Sequence, residues 1–258
     1  IGGNLTGVQF QAGASLSGCI TNSGSIVGAV GINVANGALV SGGIVNTVGG
    51  YISSINNAGQ IGMSIGALGI RLTTGAIVDF GITNTGYIGA YPSGIGLQNA
   101  TLNGGIFNSG TVQGVLYAAV NVLSSVLNGG ITNIGVIGLG DASISLINST
   151  LNGGISNAGL LNGANAGIGM AASILSGGID NSGTISANGG NGLYLGGTST
   201  ISSLVNGPIN NSGSIYGFYS GIAIGNAVVN DAIINSGSIS GGVAGIGLGG
   251  SATVLGGI

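Results

Sequence analysis

Isoleucine and asparagine recur along this chain in a fixed pattern, Ile-x-Asn. With the isoleucine as position zero, the place is filled by Ile20, Ile44, Ile55, Ile82, Ile106, Ile131, Ile155, Ile179, Ile209, Ile233 and Ile258. Position +2 is Asn22, Asn46, Asn57, Asn84, Asn108, Asn133, Asn157, Asn181, Asn211 and Asn235. Position +4 is glycine except at Val48, and position −4 is apolar or aromatic throughout, from Leu16 through Tyr51 to Val254. In an extended chain, positions zero and +2 share one face, and the residue between them, such as Thr21, Thr83 or Ser156, takes the other. The pattern therefore predicts a short strand with isoleucine and asparagine turned inward. A second strand is predicted to end near Ile88, Ile137 and Ile185, and a third to start at segments such as Ile32-Asn33-Val34, Ile95-Gly96-Leu97 and Ile168-Gly169-Met170.

Successive isoleucines lie 24, 11, 27, 24, 25, 24, 24, 30, 24 and 25 residues apart, a period that belongs to solenoids. A helical solenoid is disfavoured by 60 glycines, since glycine inside a helix costs about 1 kcal/mol relative to alanine. The expected fold is all-β: a right-handed parallel β-helix, or β-solenoid, of about 24 residues per rung and nine or ten rungs. It would form a single domain over residues 1–258. One rung cannot bury its own isoleucines, so each needs the next as a partner. Asparagine amides carry donors and an acceptor, and identical ones stacked on adjacent rungs are expected to bond along a ladder. Eleven residues cannot complete a circuit, so an insertion is expected near 45–54, and a glycine-rich bulge at Asn188–Gly192 is expected to fill the 30-residue gap.

Charge is nearly absent. Arg71 is the one basic residue, Asp79, Asp141, Asp180 and Asp231 are the acids, and there is no histidine. Nucleic acid is excluded as a partner, because phosphate neutralisation takes several cations. The acids lie at unrelated offsets from position zero, so neither a catalytic pair nor a metal site is expected; the chain reads as a non-enzyme with no catalytic, cofactor-binding or metal-binding residues and no small-molecule substrate. No apolar run reaches the length of a membrane helix. Cys19 replaces a corner glycine and is read as a small side chain there. A flat ice-binding face is disfavoured because the residue after each isoleucine varies, from Thr21 and Val45 to Phe107, Asp180 and Ile234.

The unit Gly-Gly-Ile-x-Asn-Ser-Gly-Thr-Ile-Ser at Gly177–Ser186, echoed at Ile20–Ile26, Ile106–Val112, Ile209–Ile215 and Ile233–Ser240, resembles the passenger repeats of bacterial autotransporter-type surface proteins. The resemblance implies a β-helix exported to the cell surface, many such passengers being adhesins or surface-layer components. With the scarcity of charge, two functions are expected: an extracellular structural protein that self-assembles into a bacterial surface filament, fibre or sheath, or an adhesin-type passenger stalk that attaches to a cell or host surface. A chain opening on Ile1-Gly2-Gly3 and closing on Leu255-Gly256-Gly257-Ile258 is expected to stack head to tail on copies of itself. An adhesin is expected to present contact residues such as Tyr87, Tyr91, Phe218 and Tyr219.

Overall fold

A computed structural model describes residues 1–2, 5–62, 69–198 and 201–258; Gly3 of the opening motif lies outside them. The described residues contain no helix and form forty short strands. These build a β-solenoid with four parallel sheets of ten strands each as its walls. Following the chain, the first wall begins with Thr6–Phe10, the second with Ser15–Leu16, the third with Ile20–Asn22 and the fourth with Ser25–Ile26. Each strand pairs with the strand four later, so one circuit returns the chain to its starting wall, one level on. The turn has four strands, not the expected three. The additional one is the fourth-wall strand, only two to four residues long, that carries the apolar residue before the corner leading to the isoleucine: Val78, Leu102, Leu127 and Leu151.

The core is one continuous column of aliphatic side chains down the tube. On the first wall Ile32, Ile55, Ile82, Ile106, Ile131, Ile155, Ile179, Ile209 and Ile233 lie in register. On the third wall the column runs Ile20, Ile44, Ile70, Ile95, Val120, Ile144, Ile168, Leu193, Ile222 and Ile246. The position-zero isoleucines therefore do not share one column. Ile20 and Ile44 belong to the third wall, and from Ile55 onward the motif occupies the first.

This corrects the reading of the 11-residue gap. Ile44 and Ile55 stand in the same turn on opposite walls, and Val45–Ser54 is the half-circuit between them rather than an insertion; Tyr51 and Ile52 are already a fourth-wall strand. The exchange is possible because both halves of a turn have the same inward pattern, zero, +2, then one apolar residue after a corner. They differ in the corner. A motif half passes from Asn84 to Ile88 in four residues, whereas the other half passes from Leu97 to Leu102 in five through Asn99, a residue with φ +51°. Tyr51 is also turned outward, since Ile52 is the residue in register with Ile26 and Val78.

The long turn before Ile209 has a different source from the one expected. Asn191–Gly196 is a regular third-wall strand. Most of the extra length lies between Leu195 and Val205, ten residues apart where Met170 and Leu175 are five apart; residues 199 and 200 there are outside the described set.

Glycine at +4 is required by close approach between turns. A methyl group on Gly86, Gly110, Gly135, Gly159, Gly183, Gly213 or Gly237 would collide with a glycine or small-residue carbonyl of the preceding turn. At −1 the requirement is conformational, since Gly81, Gly105, Gly130, Gly154 and Gly178 have φ between +74° and +84°, a region that L side chains rarely adopt. Val48, the exception at +4, sits in a corner two residues longer, where it is 70 % exposed and Gly49 and Gly50 make the turn.

Candidate functional site

Three polar rows run along the axis inside or on the walls. In the first, the buried asparagines form the expected ladder. From Asn57 to Asn235 each Nδ2 donates to the Oδ1 of the next turn at 2.7–2.8 Å. The same amide also donates to two carbonyls, as Asn84 does to Gly86 and Thr111. The asparagine thus holds its own tight corner closed and ties it to the next level. A separate link, Asn22 to Asn46 at 2.8 Å, lies on the third wall. Where the motif changes walls the ladder is interrupted: Asn46 faces Leu72, and Asn57 is preceded by Val34. Asn57 Oδ1 is accordingly buried without a hydrogen-bond partner.

The other two rows were not anticipated. Buried serines line the corner between the third and fourth walls, where Ser125, Ser149, Ser173 and Ser203 accept from the backbone N–H of Ala100, Ser125, Ser149 and Ser173 at 3.1–3.2 Å. The signal was present as a serine after Ser124, Asn148 and Ala172. On the outside of the fourth wall, Asn128 donates to Asn103 and Asn152 to Asn128, both at 2.8 Å, and Asn230 to Asn206 at 2.7 Å. Its sequence signal is the Leu-Asn-Gly-Gly before Ile106, Ile131 and Ile155.

The acids are dispersed, each with its own partner. Asp79 accepts from the Tyr51 hydroxyl at 2.8 Å and from Asn103, Asp141 from Asn165, Asp180 from Asn210, and Asp231 from the backbone of Ala232. The hydrogen bond to Asp79 raises the Tyr51 pKa above its ordinary value, with burial and the carboxylate charge adding to it. Arg71, on the outside of the third wall, donates to Gln98 at 3.3 Å. Among the described residues no three histidine, cysteine, aspartate or glutamate side chains converge. The Cys19 thiol is exposed and donates to the Gly42 carbonyl at 3.0 Å.

The irregular part of the surface is the corner from the second wall to the third. Its loop tips stack by backbone hydrogen bonds: Tyr117 to Pro92, Asp141 to Tyr117, Asn165 to Asp141, Asn191 to Asn165, Tyr219 to Gly190 and Val243 to Tyr219. The result is a ridge with exposed Tyr91, Leu116, Tyr117, Leu139, Phe218, Tyr219 and Val243 at its crest. Phe218 and Tyr219 meet edge to face at 5.1 Å. Of the four proposed contact residues, Tyr91, Phe218 and Tyr219 are therefore on one ridge. Tyr87 is not; it lies half-buried on the second wall, its hydroxyl bonded to Gln113. Tyr117 belongs with the ridge and was missed because it falls in an apolar run, Val115–Leu123, with no aromatic periodicity. Beside the ridge, the outward face of the third wall carries Gly96, Asn121, Ser145 and Gly169, so the wall dips into a shallow trough.

Comparison with family models, with curated proteins and with solved structures found no match for this chain.

Proposed function

We propose that this chain is an extracellular structural protein, a self-assembling β-solenoid subunit of a bacterial surface filament, fibre or sheath, with no catalytic step assigned to any residue. The observation that supports this best is the sameness of the tube from one level to the next. The aliphatic column and the parallel backbone pairing repeat at each turn, and the asparagine ladder repeats from Asn57 to Asn235, so a turn from a second copy can stack as a turn of the same chain does. Ile239, Ile246 and Val254 of the last described turns are only partly buried, and a further turn would cover them. One basic and four acidic side chains in 258 residues provide little of the repulsion that normally keeps sheet edges apart. Head-to-tail contact of this kind is heterologous and propagates.

The test is electron microscopy and sedimentation of the purified chain beside an Ile246→Asp variant, with circular dichroism to confirm that both hold their β structure. Filaments are expected from the parent and discrete particles from the variant. Parent chains that stay single at high concentration, or filaments indifferent to the added charge, would contradict the proposal.

A second reading, an adhesin-type passenger stalk that mediates attachment, is favoured by the ridge, because contiguous exposed apolar groups on a soluble surface mark contact sites. Surface binding by single rods, lost when Tyr117 and Tyr219 are replaced by serine, would select it.

A further inference from the structure

We propose that the trough beside the ridge, at the level of Ser145, Gly169 and Tyr194, is a binding site for an uncharged glycan chain. This goes beyond the structural role and does not depend on it. The floor is made by the outward residues of three successive third-wall strands, in register as Ser145, Gly169 and Tyr194. Glycine in the middle leaves a depression, and with the ridge as one side it encloses about 400 Å³.

The position of the tyrosine ring makes the depression a site. A methyl group placed on Gly196 would lie 2.6–2.7 Å from the Tyr194 ring and hydroxyl. The ring therefore lies down along its own strand over Gly196, one face against the backbone, while the side chain remains 42 % exposed. A ring held flat in this way is a platform for the C–H face of a pyranose, with its rotamer already fixed before binding. Opposite stands Tyr219, steadied by its edge contact with Phe218. Also lining the trough, on the two levels before Tyr194, Asn165 donates to one oxygen of Asp141. The second carboxylate oxygen and the Asn165 carbonyl are acceptors for sugar hydroxyls, which suits the chemistry of both groups.

Charge selects among ligands. Arg71 is separated from Ser145 by two intervening strands on the same wall, about 14 Å at the usual strand spacing, beyond the screening length of about 8–10 Å. An anionic chain would find no counter-charge in the trough and would meet Asp141. A cation would find one exposed carboxylate, already amide-bonded, a pairing that contributes little. A neutral polyol is the class that uses the rings and the acceptors together. A second hollow of about 310 Å³ further along the same wall is lined by Arg71, Tyr117 and Asn121, so the selection for a neutral chain belongs to the Ser145–Tyr194 trough, away from Arg71.

The test is titration of the full chain, by solution NMR or on an oligosaccharide array, with neutral glucan, mannan, galactan and xylan oligomers, heparin as the anionic probe and choline as the cationic one. Saturable binding of at least one neutral oligomer is expected. Tyr194→Ala and Asn165→Ala should each weaken it roughly tenfold or more, Tyr194→Phe should retain it, and Tyr87→Ala, on another wall, should leave it unchanged. Melting curves of each variant separate loss of the site from loss of the fold. The proposal is overturned if no neutral oligomer binds, if heparin or choline binds in their place, or if binding survives Tyr194→Ala. None of these outcomes bears on filament formation.

Discussion

At the scale of single residues, the asparagine ladder makes unequal demands along its length. Asn157 donates to Asn181, Gly159 and Thr184 and accepts from Asn133. Asn157→Asp removes both amide N–H donors and the three hydrogen bonds they make, and sets a carboxylate among carbonyls, so it should lower stability by about 3 kcal/mol or more, read as a fall in melting temperature; an unchanged melt would contradict a buried ladder. Asn57 is different, because its Oδ1 is unpaired and its neighbour is Val34. Asn57→Val exchanges that orphan for one at Asn84 Oδ1, whereas Asn108→Val adds one at Asn133 and also takes the acceptor from Asn84 Nδ2, so Asn57→Val should cost less by about 1 kcal/mol. The glycines divide in the same way. Gly159→Ala drives a methyl into the Gly135 carbonyl and should cost about 1–3 kcal/mol, whereas Gly96, on the open wall with nothing within 4 Å of a new methyl, should accept alanine within about 0.5 kcal/mol. Tyr51 carries the pH dependence. Its raised pKa means that the folded chain holds the phenol proton more tightly than the unfolded chain does. The contribution is therefore complete below about pH 10, the unfolded value, and is lost as pH rises through the folded value. Tyr51→Phe should remove this alkaline dependence; melting curves across that range for both chains would reveal a variant that still shows it.

At the scale of elements, the unit that matters is the half-turn. Strand type, inward positions and period were readable from Ile-x-Asn because a buried strand enforces period two and stacking enforces identity between levels. The wall was not readable. The motif reports a tight corner closed by asparagine, and that corner fits either side of a turn whose halves match. Ile44 and Ile55 consequently looked like a fault when they were two asparagine-bearing corners in one circuit, the one after Asn46 two residues longer than the one after Asn57. The fourth strand escaped notice because two residues such as Thr101-Leu102 carry too little alternation to be read as a strand. The ridge escaped because its tips, Tyr117 or Gly189, vary while the backbone hydrogen bonds that stack them do not depend on side chains. Excision tests the half-turn directly. Removing residues 155–178 joins Gly154 to Ile179, the register partner of Ile155, and should leave a shorter tube of nearly unchanged melting temperature. Removing 155–167 joins Gly154 to Ile168 and brings Ile168-Gly169-Met170 onto the first wall after Asn133, breaks the ladder and should lower the melt. Equal behaviour of the two deletions would contradict this account of the corners.

At the scale of the molecule, ten strands per wall at about 4.8 Å per level give a tube on the order of 45 Å long. One core runs through it, and contacts are confined to neighbouring turns. A body of this kind extends by repetition, and the proposed filament is the same stacking carried across a chain boundary. X-ray diffraction from oriented filaments of the purified protein tests that most directly. Stacking end to end places the strand spacing of about 4.8 Å along the fibre axis, so the account predicts a sharp meridional reflection there. The same reflection found on the equator would mean that the rods lie across the fibre and join through their sides, and would contradict it.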